Sequence, residues 1–126
     1  MRPDIRTLQF SVLLSVIVAL AAAFAMRPAA AHHGWGGYDS TQLLDLTGTI
    51  QEVTFENPHG TLRLETPEKT WLIILSPPRR MINRGLEAEM LRVGDTVSVQ
   101  GYPHKTDPVE MRAERIIVNG MSVELR

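Results

Sequence analysis

The chain contains no cysteine, which excludes disulfides, thiolate metal sites and cysteine nucleophiles. It also lacks a charge bias: 13 Lys and Arg stand against 14 Asp and Glu, so no basic field exists to hold a phosphate backbone, and nucleic acid is not an expected partner. No Gly-x-Ser-x-Gly elbow, His-Glu-x-x-His helix or phosphate-cradling glycine loop occurs. Glu52 and Glu56 are four apart on a predicted strand and read as exposed carboxylates rather than a glycosidase pair. Arg79, Arg80 and Arg84 read as a solvated helix face rather than an anion site. These absences leave no catalytic constellation, and an enzyme is not expected. With 126 residues, 44% hydrophobic and 21% charged, the chain fits one ordinary globular domain.

Only one long hydrophobic run is present, from Phe10 to Met26, behind Arg2 and Arg6. Pro28 breaks it, and Ala29-Ala30-Ala31 supplies the small residues a signal peptidase reads, which predicts a cleaved signal peptide over residues 1–31. An uncleaved membrane anchor is the alternative; the Ala-rich second half and the Ala-x-Ala site favour cleavage. The mature chain, 32–126, loses Arg2, Arg6, Arg27 and Asp4, leaving 10 Lys and Arg against 13 Asp and Glu, a net of −3. That balance suits a soluble periplasmic protein with no pull toward anionic lipid.

Residues 32–43 open with His-His-Gly-Trp-Gly-Gly-Tyr and read as a flexible arm, with Trp35 or Tyr38 able to pin it to the domain. From Leu44 the pattern becomes that of strands. Leu44, Leu46 and Ile50 share one phase and Val53 and Phe55 the other, which is what a bulge does as it carries a strand around a curled sheet. Asn57-Pro58-His59-Gly60 is the turn that follows. Thr61 to Thr66 alternates with Leu62 and Leu64 inward. Thr70 to Leu75 is apolar on both faces and predicts a central strand with its outer face covered. After Pro77-Pro78 a short helix runs to Asn83 with Gly85 as its stop, then a second helical turn follows, with Ile82, Leu86 and Met90 as the buried stripe. Thr96 to Gln100 is a strand, Gly101 to Pro108 a long loop, and Glu110 to Val118 the last long strand. Asn119-Gly120 then turns Met121 to Leu125 back on it.

Three strands, a helical insert and two more strands predict an all-β OB-fold-like antiparallel barrel of five to six strands over residues 44–126. An immunoglobulin-like sandwich would need about seven strands and no central helix. Closure suits a small domain without disulfides, because it removes exposed edges.

A set of local motifs also resembles a known bacterial family, domain of unknown function 6152. They are Ala31-His32-His33, Thr47-Gly48-Thr49-Ile50, Asn57-Pro58-His59, Trp71, the Pro78 to Gly85 helix, Gly94 to Gly101, and Arg112 to Ile117. The resemblance covers nearly all of the mature chain and departs from the pattern at Gly34, where Ser is expected after the paired histidines. It implies export and a small barrel and no reaction.

Four histidines carry the functional expectation. His59 lies in the loop between the first two strands and His104 in the loop between the fourth and fifth, the two loops that flank the ligand face of an OB barrel. Cleavage after Ala31 would put His32 and His33 at the new terminus with a free amine less basic than lysine. Nitrogen donors without thiolate suit copper(II), zinc or nickel, and copper heads the affinity order. The bland readings are a turn residue for His59, a solvated loop residue for His104, and core for Met111. The expected function is therefore a periplasmic metal-binding protein, copper first, using His32, His33, His59 and His104. The alternative is a metal-free barrel that holds an oligosaccharide, a peptide or another periplasmic protein against a face lined by Arg63, Glu65 and Trp71.

Overall fold

The computed structural model describes residues 34–126. The apolar segment, the expected cleavage point after Ala31, His32 and His33 lie outside the described residues. Among the described residues six strands form, β1 (Leu44–Thr54), β2 (Thr61–Glu65), β3 (Thr70–Ile74), β4 (Thr96–Pro103), β5 (Glu110–Val118) and β6 (Met121–Glu124). Between β3 and β4 lie a short helix, α1 (Pro78–Asn83), and a 3-10 turn at Ala88–Met90.

The first strand makes the barrel. Its N-terminal half pairs with β4, its C-terminal half with β2, and Thr49 belongs to both ladders. The register shifts between Ile50 and Glu52, so Gln51 is the bulge that the phase change in the sequence announces. A methyl on Gly48 would fall 2.3 Å from the Glu65 carbonyl oxygen, so the strand can cross there only with glycine. β2 pairs with β3, β4 with β5, and β3 with the start of β5, closing five strands, while β6 extends the sheet from the far end of β5. The all-β barrel with a helical insert is as expected, with one difference: the β3–β5 seam is parallel. Strand directions cannot alternate all the way around a ring with an odd number of members, so one neighbouring pair must run the same way.

Inward residues follow the period-2 pattern. Ile50, Leu62, Leu64, Ile73, Val97, Val99, Met111 and Ile116 are buried in one cluster with Trp71. Trp71 is only 9% exposed, and Lys69 Nζ sits 3.9 Å from its ring centroid at the rim. The helical insert departs from the expected stripe. Met81 and Leu86 are fully buried, Met90 is half-buried, and Ile82 is 50% exposed. A helix of six residues started by two prolines turns one strong side inward, and Met81 takes that position as a plug. The turn before β2 presses on the plug: a methyl on Gly60 would lie 2.7 Å from Met81 Cε.

The expected loop from Gly101 to Pro108 is also shorter than the composition suggests. β4 runs on through Pro103, with a register shift at Gln100–Gly101 that sets Tyr102 opposite Arg112. A methyl on Gly101 would fall 2.0 Å from the Arg112 carbonyl oxygen, so the glycine that looks like a loop residue is the close approach that lets the strand continue. At the last hairpin Asn119 (φ 51°) and Gly120 (φ 77°) both take the left-handed conformation that this turn demands.

Candidate functional site

The arm before β1 lies over the outer face of β4 and β5. Tyr38 forms a bridge with His104, Asp39 N–H donates to the Pro103 carbonyl (2.9 Å), and Lys105 N–H donates to the Gly37 carbonyl (2.9 Å). Lys105 Nζ adds a bond to the Gly36 carbonyl at 2.8 Å. Tyr38 is the pin: its side chain is buried, and its hydroxyl donates to Glu110 Oε1 at 2.5 Å. Burial raises the Tyr38 pKa well above its ordinary value, the bond to Glu110 and that carboxylate's charge raise it further, and the Arg112 charge opposes them.

Arg112 is the second anchor. Its place on β5 directs it outward beside Tyr102, yet it is only 7% exposed because the arm covers it. Nη1 donates to the Gly34 carbonyl at 2.7 Å, and the guanidinium lies 4.6 Å from the Trp35 ring centroid and 5.9 Å from that of Tyr38. Arg126 approaches Trp35 as well, at 4.7 Å. Burial lowers the Arg112 pKa from its ordinary value, the facing Tyr38 opposes that, and Arg80 adds to it. Trp35, Tyr38, Tyr102 and His104 make edge-to-face contacts at centroid distances of 6.4, 6.1 and 5.2 Å. Among the described residues no buried side-chain polar atom is left without a partner.

The two loop histidines are not brought to one point. His59 adjoins Gly60, whose carbonyl accepts from Leu75 N–H, whereas His104 N–H donates to the Glu110 carbonyl, and Glu110 is level with Leu72. Three residue steps, from Leu72 in β3 to Leu75 just past its end, separate those levels, roughly 10 Å along the strand direction. His59 is half-buried and engaged with its surroundings. His104 is committed to its own loop: Nδ1 accepts from the backbone N–H groups of Asp107 (3.1 Å) and Thr106 (3.3 Å). A metal-bound imidazole normally donates from its other nitrogen, and a proton on Nδ1 here would face two donors. On the remaining side, a methyl on Gly37 would sit 3.1 Å from Nε2, so the ring is packed against the arm. Among the described residues no group of three or more His, Asp or Glu is arranged to hold a metal ion.

The face assigned to the metal-free alternative changes too. Arg63 and Glu65 are exposed, but Trp71 points inward, because it pairs with Leu64 on the opposite phase. Arg63 is 3.4 Å from Glu52, and Gln51 donates to Glu65, so that face is polar and self-paired. What the sequence reading passed over is the Tyr38, Glu110 and Arg112 cluster. Its signal was present in Glu110-Met111-Arg112, where two charges flank an inward methionine at the start of a long strand.

A comparison with curated proteins finds no significant match. Residues 19–110, more than half of the chain, match the model of the family of unknown function DUF6152. That span takes in the arm and β1 through β4, including each strand that the arm touches except β5 beyond Glu110. On that match, the chain belongs to the DUF6152 family.

Proposed function

We propose that this is an exported periplasmic protein that binds one metal ion, copper before zinc or nickel, at a processed amino terminus. His32 supplies its amine and ring, and His33 supplies a second imidazole. Nitrogen donors without thiolate favour copper(II) on the general affinity order. The supporting observation is the clasp on Gly34, the residue directly after the His pair. A buried guanidinium donates to its carbonyl, and a buried phenol and carboxylate pin the same arm four residues on. The arm adds no side chain to the barrel's core cluster, and its clasp fixes the chain up to the residue that follows the His pair. His104 takes the role of holding the arm, and His59 stands at another level of the wall.

The test is calorimetric titration with copper(II) of protein exported and cleaved from its own signal. The expected result is sub-micromolar affinity, at least about tenfold weaker after His32→Ala or with one extra residue ahead of His32. Binding should also weaken as the pH falls through the imidazole range, because protons compete for the same nitrogens. Equal affinity of the cleaved and extended forms eliminates the terminal amine. No binding by any of them leaves the metal-free barrel as the better reading.

A further inference from the structure

We propose that Arg80, Arg84, Arg112 and Arg126, gathered from three segments beside the arm, form a binding site for a small oxyanion of the phosphate class that carries more than one charge. This site is independent of the metal reading above. Met81 fixes the orientation of α1 by pointing into the barrel, and at about 100° per residue Arg80 and Arg84 then leave on one flank while Arg79 points outward. Arg84 Nη1 donates to the carbonyls of Glu124 (2.8 Å) and Arg126 (2.7 Å), which draws the stretch after β6 to that flank. From there the Arg126 guanidinium lies 4.7 Å from the Trp35 ring centroid and that of Arg112 lies 4.6 Å from the same centroid, so the two like charges are less than about 10 Å apart. Arg80 faces the same group, since its charge adds to the effect of burial in lowering the Arg112 pKa.

Elsewhere this chain neutralises its exposed arginines. Arg63 lies 3.4 Å from Glu52, Arg92 lies 3.9 Å from Asp95, and Arg115 pairs with Glu124. Of the four gathered guanidiniums, only that of Arg126 is ion-paired among the described residues, to Glu114 at 3.6 Å, and Glu114 also accepts from the Tyr102 hydroxyl. Arg84 and Arg112 are bound to backbone carbonyls, which carry no net charge. The exposed Arg80 side chain has no hydrogen-bond or ion-pair partner among the described residues. Carboxylates outnumber bases in this span, so the uncompensated positive charge is a local arrangement and not a by-product of composition. A guanidinium is a planar fork that matches phosphate oxygens, and one anion bridging Arg80 and Arg126 would supply the charge the cluster is short of. The cluster is only as wide as the surroundings of one ring, and the span's net negative charge opposes an anionic bilayer, which favours a small soluble ligand.

Pyrophosphate is the probe, titrated into the purified protein while the indole N–H resonances are followed by NMR. Trp35 and Trp71 are the two tryptophans, and Trp71, in the core, is the internal control. The expected result is a saturable shift of the Trp35 signal with Trp71 unmoved, a dissociation constant below about 1 mM, and weaker binding as salt is raised. Arg80→Gln, at an exposed position on which the fold does not depend, should weaken binding at least about fivefold, and Arg80→Lys less. Arg92→Gln, which removes an exposed charge already paired with Asp95, should bind as the wild type does. No saturation by about 10 mM, or an equal loss in Arg92→Gln, would overturn the site. Co-sedimentation with vesicles of phosphatidylglycerol in phosphatidylcholine separates the two sources of phosphate: no vesicle binding is expected, and vesicle binding without pyrophosphate binding would overturn the small-ligand assignment.

Discussion

Tyr38→Phe isolates one of the bonds that tie the arm to the barrel, the buried one to Glu110. The substitution keeps the ring in its edge-to-face contacts with Trp35 and His104 and deletes the hydroxyl that donates to Glu110. Both partners are at least 95% buried, so the bond is not discounted by solvent, and a hydrogen bond to a charged group in such a place contributes about 1.5–3 kcal/mol. That range is the expected loss in a denaturant titration at neutral pH, with the slope unchanged because the core is untouched. Glu110→Gln and the double variant complete a cycle whose coupling should be about 1–2 kcal/mol. The pH dependence supplies a second check. A phenol whose folded pKa is raised contributes stability that is fully present below its unfolded value of about 10 and is lost as the pH rises beyond it. Wild-type stability should therefore fall more steeply than that of Tyr38→Phe above about pH 10. Tyr102, raised by its hydrogen bond to Glu114, is common to both proteins and cancels in the difference. A loss below about 0.5 kcal/mol with parallel alkaline profiles would refute the claim that this bond anchors the arm.

Trp71→Ala empties a core position 9% exposed and should cost about 3–5 kcal/mol by denaturant titration; under about 1 kcal/mol would mean the ring contributes little to the core. Gly101→Ala places a methyl against backbone atoms of Arg112 and Ala113, so a loss of about 1–3 kcal/mol or more is expected, and no loss would contradict the close approach of β4 and β5. Met81→Ala should cost about 2–5 kcal/mol while Ile82→Ala stays under about 1 kcal/mol; the reverse order in thermal melts would put the helix on the wrong face.

The sequence alone determined the barrel's local pieces, because strand period, bulge phase and turn chemistry are short-range. Leu62 and Leu64 share a face because strand side chains alternate, Gln51 bulges because the apolar phase slips, and Asn119-Gly120 turns because those residues accept positive φ. The family was legible for the same reason, in motifs a few residues long. Tertiary structure alone decided the rest. Gly101 looked like a loop because its reason, the Arg112 carbonyl, is eleven positions away. Ile82 and Met81 are equally apolar, and only the orientation of a six-residue helix over the barrel end selects Met81 as the plug. His59 and His104 are both loop histidines in the sequence, and register along β3 sets them at different heights. The arm's anchor needed closure most of all. Tyr38 and Glu110 are 72 residues apart and Gly34 and Arg112 are 78, so no local pattern joins them; the folded barrel buries all but a few per cent of the Tyr38, Glu110 and Arg112 side chains under one strap.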